Sequence, residues 1–177
     1  MTTPFHTLVA DPPWRFSDSL PGKGRGAGKH YGCLTLSEIA RFPLPPMAKD
    51  SVLILWRVSA MVEDAYFIAR AWGFVPKAEF AWIKTTKDRR RVRMGMGHQV
   101  RHGHESAIIA TRGRPKRLSK AVSSVVTAPY TGRHSGKPEL FFDRVEQLYP
   151  GPYCELFARR QRPGWTCYGN QLKKAHP

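Results

Sequence analysis

The hydrophobic positions of the chain fall into short blocks with two different periods. Thr7 to Ala10 (TLVA) is apolar and β-prone, and Asp11-Pro12-Pro13 stops it, which predicts a strand ending at Asp11. Ser51 to Trp56 (SVLILW) is an almost unbroken apolar run, the pattern of a strand buried on both faces. Phe74 to Lys84, Ser106 to Thr111, Val122 to Ala128, Tyr153 to Phe157 and Trp165 to Asn170 predict further strands. Between them the period becomes helical. Thr35-Leu36-Ser37-Glu38 has capping-box spacing and predicts a short helix to about Phe42, ended by Pro43, Pro45 and Pro46. Ser59 is the expected N-cap of a second helix. Its Met61, Val62, Ala65, Tyr66, Ala69 and Trp72 share one face, and Gly73 closes it. Pro138 suits the first turn of a third, with Leu140, Phe141, Val145 and Leu148 aligned as far as Tyr149.

Strands alternating with helices predict an α/β fold, a largely parallel central sheet flanked by helices. The 177 residues suit a single domain over 1–177, with enough chain to bury a core unaided. No stretch approaches the ~20 apolar residues of a membrane span, so no membrane partner is expected. Cys33, Cys154 and Cys167 are sparse and lack Cys-x-x-Cys spacing, which fits reduced thiols in a cytoplasmic protein and no metal site.

Charge changes the picture. There are 29 Lys and Arg against 13 Asp and Glu, a net charge of +16. That excess points to a polyanion, most simply nucleic acid. Residues 84–120 hold twelve of the cations against only Asp88 and Glu105, so the segment reads as one footprint. Lys87, Arg89, Arg90, Arg91, Arg93 and Arg101 are the expected phosphate contacts, with Gly95 and Gly97 allowing close approach, and Arg114, Lys116 and Arg117 extending the surface. Residues 15–30 carry four glycines interleaved with Lys23, Arg25 and Lys29, which predicts a flexible basic loop. His98, His102 and His104 with Glu105 have no partner ligands elsewhere and are not read as a metal centre.

Open parallel sheets bind ligands at the carboxyl ends of their strands, and Asp11-Pro12-Pro13-Trp14 falls at such an end. A carboxylate and a proline carbonyl are hydrogen-bond acceptors, two prolines hold the turn rigid, and Trp14 adds a flat polarisable face. Together these groups suit a planar ring bearing an amino group, such as adenine or cytosine. A plain turn with a core tryptophan would have the same composition.

The motif resembles the DPPW of amino methyltransferases that use S-adenosylmethionine. The rest of the chain is similar to the MT-A70 family of adenine N(6)-methyltransferases. The matching segments, in order, are ADPPW at 10–14, HYG at 30–32, LILW at 53–56, WIKT at 82–85, GH with a following HGHE at 97–105, KP at 137–138, ELF at 155–157 and GNQ at 169–171. The resemblance implies a Rossmann-like methyltransferase fold in permuted order, with the catalytic DPPW strand before the cofactor-binding strand. It implies catalytic roles for Asp11, Pro12, Pro13 and Trp14. It implies cofactor contacts from Asp11, Lys137, Glu155, Phe157, Arg159, Asn170 and Gln171, with Lys137 on the methionine carboxylate of S-adenosylmethionine and Glu155 on its ribose. Trp14 and Tyr31 are then expected to flank the target base, with His98 and Glu105 also beside the substrate. Arg160-Gln161-Arg162 departs from the family's usual polar residues.

The expected activity is methyl transfer to the exocyclic amino group of adenine in DNA. The alternatives are RNA as substrate, or a non-catalytic nucleic-acid-binding subunit. Small size and basicity lead to the expectation of a cytoplasmic, prokaryotic or phage-encoded protein, working alone or as a homo- or heterodimer.

Overall fold

A continuous apolar strand needs cover on both faces, and the computed structural model supplies it. The structure describes residues 3–15, 32–95, 97, 99–130, 136–170 and 172. The elements are β1 (Phe5–Ala10), α1 (Leu36–Ala40), β2 (Met47–Arg57), α2 (Val62–Ala71), β3 (Val75–Thr85), β4 (His104–Arg112), β5 (Val125–Pro129), α3 (Glu139–Leu148), β6 (Tyr153–Leu156) and β7 (Trp165–Tyr168). The strands form a mixed seven-stranded sheet in the order β5-β3-β4-β2-β1-β6-β7. β1 runs parallel to both β2 and β6, β6 to β7, and β3 to β5. β4 alone is reversed, antiparallel to β2 and β3.

Both core layers follow from residue alternation. Val52, Ile54 and Trp56 of β2 face one side, packing with Phe80, Phe141 and Val145 beneath α3. Leu53 and Leu55 face the other, with Ile39, Ala65, Ile68 and Trp72 of the α1 and α2 layer. Central β2 and β4 are therefore apolar at consecutive positions, while edge β5 and β7 alternate buried and exposed. Trp56 and Trp82 are core residues, as their apolar strands predict.

Local signals place the helices well but not their first residues. At α1 the capping box forms in both directions: the Thr35 N–H donates to Glu38 Oε2 (2.7 Å) and the Glu38 N–H to Thr35 Oγ1 (3.2 Å). The helix ends at Ala40, before the predicted Phe42. At α2 the N-cap is Met61, not Ser59, and it makes no side-chain cap. Glu63 and Asp64 in the first turn complement the dipole instead. Val62 is exposed, and Ile68 takes the inward position expected of it. Gly73 follows α2 at φ +80°, where a Cβ would be strained and would crowd the Arg112 guanidinium. Pro138 is the N-cap of α3 rather than its first residue.

The reversal of β4 corrects one expectation outright. Residues 84–120 are not one footprint. His104 begins β4 at the end of the sheet where β1 finishes, and Arg112 ends it at the opposite end, where Ser51 enters the β2 core run. The basic segment is thus split between two ends of the molecule. The glycine-rich loop lies outside the described residues.

Candidate active site

The turn after β1 is tied down on both sides. The Asp11 N–H reaches Leu156 O of β6 (3.5 Å), the Leu34 N–H donates to Pro13 O (2.9 Å), and the Arg15 N–H donates to Leu34 O (3.1 Å). The Pro12 carbonyl accepts the Trp14 N–H at 2.8 Å, which leaves its second lone pair. Trp14 is not the open stacking face expected of it. It is only 5% exposed, packs in the α1 and α2 layer, and donates its indole N–H to Trp56 O at 3.0 Å. Its ring locks the turn, and the neighbouring Pro13 faces the cavity instead.

Asp11 is met from the α3 side by Lys137. The ammonium donates to Asp11 Oδ2 at 2.8 Å, contacts Glu105 Oε2 at 3.0 Å, and lies 4.7 Å from the centre of the Trp56 ring. Its side chain is 7% exposed, so it is no solvated helix-start cation. Burial works against its charge, but Asp11 and Glu105 outweigh burial and raise its pKa above the ordinary lysine value. Glu105 also receives Lys84, at 2.6 Å. Burial alone would raise the Glu105 carboxyl, yet Lys137 and Lys84 pull it down to about 2. Lys84 sits 5.5 Å from the Trp82 ring centre and 5.6 Å from that of Tyr130, and Arg93 stacks over Tyr130 at 4.1 Å. A line of alternating charge therefore runs from Asp11 to the base of a basic loop.

On the other side of Asp11 stands Glu155 of β6, in register with Val9. Its Oε2 is buried and has no hydrogen-bond partner among the described residues. Burial, with Asp11 adding to it, pushes this carboxyl up to about 7 against the opposing field of Arg162, Arg160 and Lys137. Arg160 and Arg162, the residues that depart from the family pattern, both pair with Glu139 at the start of α3. Arg162 also lies over the Phe142 ring.

A cavity of about 320 Å³ opens beside this carboxyl end, lined by Asp11, Pro13, Gly32, Leu34, Phe42, Phe157, Arg159, Tyr168, Gly169 and Asn170. The volume is at the lower end of the ~300–1,000 Å³ range of small-molecule sites. Phe157 adopts φ 61°, the left-handed region that costs a non-glycine residue roughly 1–2 kcal/mol, and its ring packs on Phe42 at 4.6 Å. A Cβ at Gly169 would run into the Ala158 backbone, so glycine is needed where the β6 and β7 exits meet.

Of the residues expected at the cofactor, Asp11, Phe157, Arg159 and Asn170 line the cavity, while Lys137 and Glu155 stand beside Asp11 outside that lining. Gln171, Tyr31 and His98 lie outside the described residues. Gly169 belongs to the GNQ motif at 169–171, and Tyr168 follows by extending that motif back to its strand. Phe42 and Leu34 carry no such signal.

The expected substrate contacts divide. Thr86 to Arg91 form a tight loop beyond β3, closed by Thr86 N–H to Arg91 O and Arg89 N–H to Thr86 O, with Arg89 at φ 60°. Lys87, Arg89, Arg90, Arg91, Arg93 and Arg101 are exposed on this side of the sheet. Gly97 serves the chain's own turn, because a Cβ there would collide with Val100 O. Arg114, Lys116 and Arg117 follow the far end of β4 and do not extend this surface. Among the described residues no three His, Cys, Asp or Glu side chains gather as a metal site, and no helix is long and apolar enough to cross a membrane.

Comparison with known proteins adds independent findings. The family model described as MT-A70 matches residues 5–171. The human "N(6)-adenosine-methyltransferase catalytic subunit METTL3" is 31% identical over 176 residues, 97% of this chain and 29% of that protein. The Drosophila melanogaster "N(6)-adenosine-methyltransferase MT-A70-like protein" is 30% identical over 95% of this chain and 27% of its own length. The human "N(6)-adenine-specific methyltransferase METTL4" is 26% identical over 96% of this chain and 38% of its own. The chain thus spans well under half the length of these relatives. They come from animals, and others such as that of Arabidopsis thaliana from plants, which overturns the expectation of a prokaryotic or phage-encoded cytoplasmic protein.

Proposed function

The chain belongs to the MT-A70 family, and from that premise we propose that it transfers a methyl group from S-adenosylmethionine to the N(6) amino group of adenine in RNA. The single observation that carries the reading is Asp11, a carboxylate on a rigid, doubly anchored turn, held by Lys137 and opening onto a cavity. The sheet is read as the methyltransferase fold in permuted order. In support, β1 with Asp11 comes first in the chain, yet pairs directly with the late strand β6 that carries Glu155.

The residues present fit the cofactor. Phe157, Arg159, Tyr168 and Asn170 offer apolar, cationic and amide groups around one space, and Glu155, beside Asp11 and outside that lining, has a buried oxygen with no hydrogen-bond partner among the described residues, which suits a ribose hydroxyl. When bound, S-adenosylmethionine supplies a methyl group on an already activated sulfonium. Lys137 would meet its carboxylate.

The chain's own residues then orient and stabilise. An adenine amino group is a poor nucleophile because its lone pair is delocalised into the ring. Asp11 and the remaining lone pair of the Pro12 carbonyl accept its two N–H bonds. That favours a more tetrahedral nitrogen and stabilises the positive charge that develops on attack. Trp14 holds the turn in place. Lys87, Arg89, Arg90, Arg91, Arg93 and Arg101 neutralise the phosphate backbone.

RNA replaces DNA as the main reading because the METTL3 and fly relatives are named for adenosine, the ribonucleoside. The METTL4 relative, named for adenine, keeps DNA as the second. The human relative is named a catalytic subunit, which supports a homo- or heterodimer as the working assembly.

The test incubates the protein with S-adenosylmethionine and matched RNA and DNA oligonucleotides, then digests them to nucleosides for mass spectrometry. N(6)-methyladenosine from RNA, absent with Asp11→Ala, is the expected result. Product from DNA alone moves the second reading to first place. No product from either, with RNA still bound, overturns the enzymatic reading in favour of a binding subunit.

A further inference from the structure

The cations left at the far end of the sheet have no part in the site just described. Lys49 lies near the start of β2, Lys77 in the irregular stretch of β3 between Pro76 and Ala78, and Arg114, Lys116 and Arg117 in the segment after β4. Strand register brings them to one end, because Ser51 pairs with Arg112 and Val75 with Thr111. The segment after β4 is fastened there by its backbone. The Arg114 N–H donates to Asp50 Oδ1 at 2.7 Å, and the Leu118 N–H to Leu148 O at 2.8 Å. All five cations are exposed, and none makes an ion pair among the described residues. Asp50 lies among them, and its Oδ1 accepts the Arg114 backbone N–H.

We propose that this end is a second nucleic-acid surface, gripping the phosphate backbone of the same RNA away from the methylated base. The proposal rests on the reading of RNA as substrate. The nine residues of β4 separate the two ends by about 27 Å at ~3.4 Å per residue. A stacked strand advances ~3.4 Å per nucleotide, so roughly eight nucleotides bridge them. Cations on a fixed backbone with no anionic partners attract a polyanion without regard to sequence. The surface would set how tightly a long strand is held and leave the choice of base to the Asp11 site.

The test compares the full chain with the variant Arg114→Ser/Lys116→Ser/Arg117→Ser. Fluorescence anisotropy follows binding of labelled single-stranded RNA of about 24 and about 6 nucleotides over a salt series, with Arg89→Ser/Arg90→Ser/Arg91→Ser as control. For the long RNA, the slope of log affinity against log salt should fall by about 2, since each lost contact removes ~0.7. The short RNA should bind the variant as it binds the parent, whereas the control should weaken on both lengths. An unchanged long-RNA slope overturns the proposal and leaves an acidic protein as occupant. Equal loss on both lengths overturns it too, because both ends would then act as one site. A parent protein that binds neither RNA overturns the RNA reading itself.

Discussion

Two glutamates flank Asp11, and the fold treats them oppositely. Glu105 on β4 is half-buried between Lys84 and Lys137 and is drawn down to about 2. Glu155 on β6 is half-buried beside Asp11, has a buried oxygen with no hydrogen-bond partner among the described residues, and is pushed up to about 7. Burial acts in the same direction on both. What differs is the count of close cations: Glu105 has two in direct contact, while the arginines near Glu155 are spent on Glu139. The β4 side is an electrostatically closed network that holds Lys137 in place. The β6 side leaves a carboxyl oxygen without a hydrogen-bond partner among the described residues. One residue type is thus held charged on one side and favoured toward its neutral form on the other.

The largest expected effect comes from removing the cation that both sides share. Lys137→Met leaves Asp11 and Glu105 around an apolar end. Breaking a buried pair by removing one partner costs on the order of 3–5 kcal/mol. For a chain of this size that lowers the thermal midpoint by about 6 °C or more. A calorimetric melt indistinguishable from the parent would show that the network carries no stability.

The two glutamates should also separate by pH. The lowered Glu105 contributes stability above its ordinary value of 4.5, and that contribution drains away as pH falls toward about 2. The raised Glu155 has the opposite sign. It binds its proton more tightly folded than unfolded, so stability declines as pH climbs from 4.5 to about 7. Glu155→Gln should flatten that decline and make the variant relatively more stable at pH 8 than at pH 5, by a few °C. Glu105→Gln should instead lose stability at neutral pH and approach the parent in acid. Midpoints measured across both windows check the two signs, and a Glu155→Gln profile parallel to the parent's would remove the contrast.

The smallest effect is expected where charges stand in water. Arg89→Ser/Arg90→Ser/Arg91→Ser should change stability by no more than about 0.5 kcal/mol per site, because exposed cations contribute little to folding. Its consequence should show in salt-dependent RNA binding alone. A large drop in the melt would mean that the loop is braced by contacts its exposure conceals.

Much of this was legible in the chain itself. The capping box at Thr35 and Glu38, the glycine closing α2, the two-sided burial of β2 and the carboxylate ending β1 are local patterns, and each formed as read. Lys137 stands out in the sequence as a cation at the start of a helix, but its partners lie 126 and 32 positions away, and no local pattern names them. Trp14 is undecided by the sequence, because a tryptophan beside a polar turn looks the same whether its ring faces a ligand or the core. Only the hydrogen bond to Trp56 O decides. The single basic footprint failed for a similar reason. Neighbours in sequence were counted as neighbours in space, and a strand carries its two ends apart.

The sequence by itself determined which segments become strands and helices, which faces they bury, and that an acidic turn would end the first strand, because periodicity and capping act over a few residues. Only the tertiary structure decided that β4 runs backwards, that the positive charge is divided between two ends, and that Glu105 and Glu155 diverge. Those outcomes depend on which strand pairs with which and on which charges are buried together, and Coulomb energies in a poorly solvated interior follow distance in space rather than order along the chain.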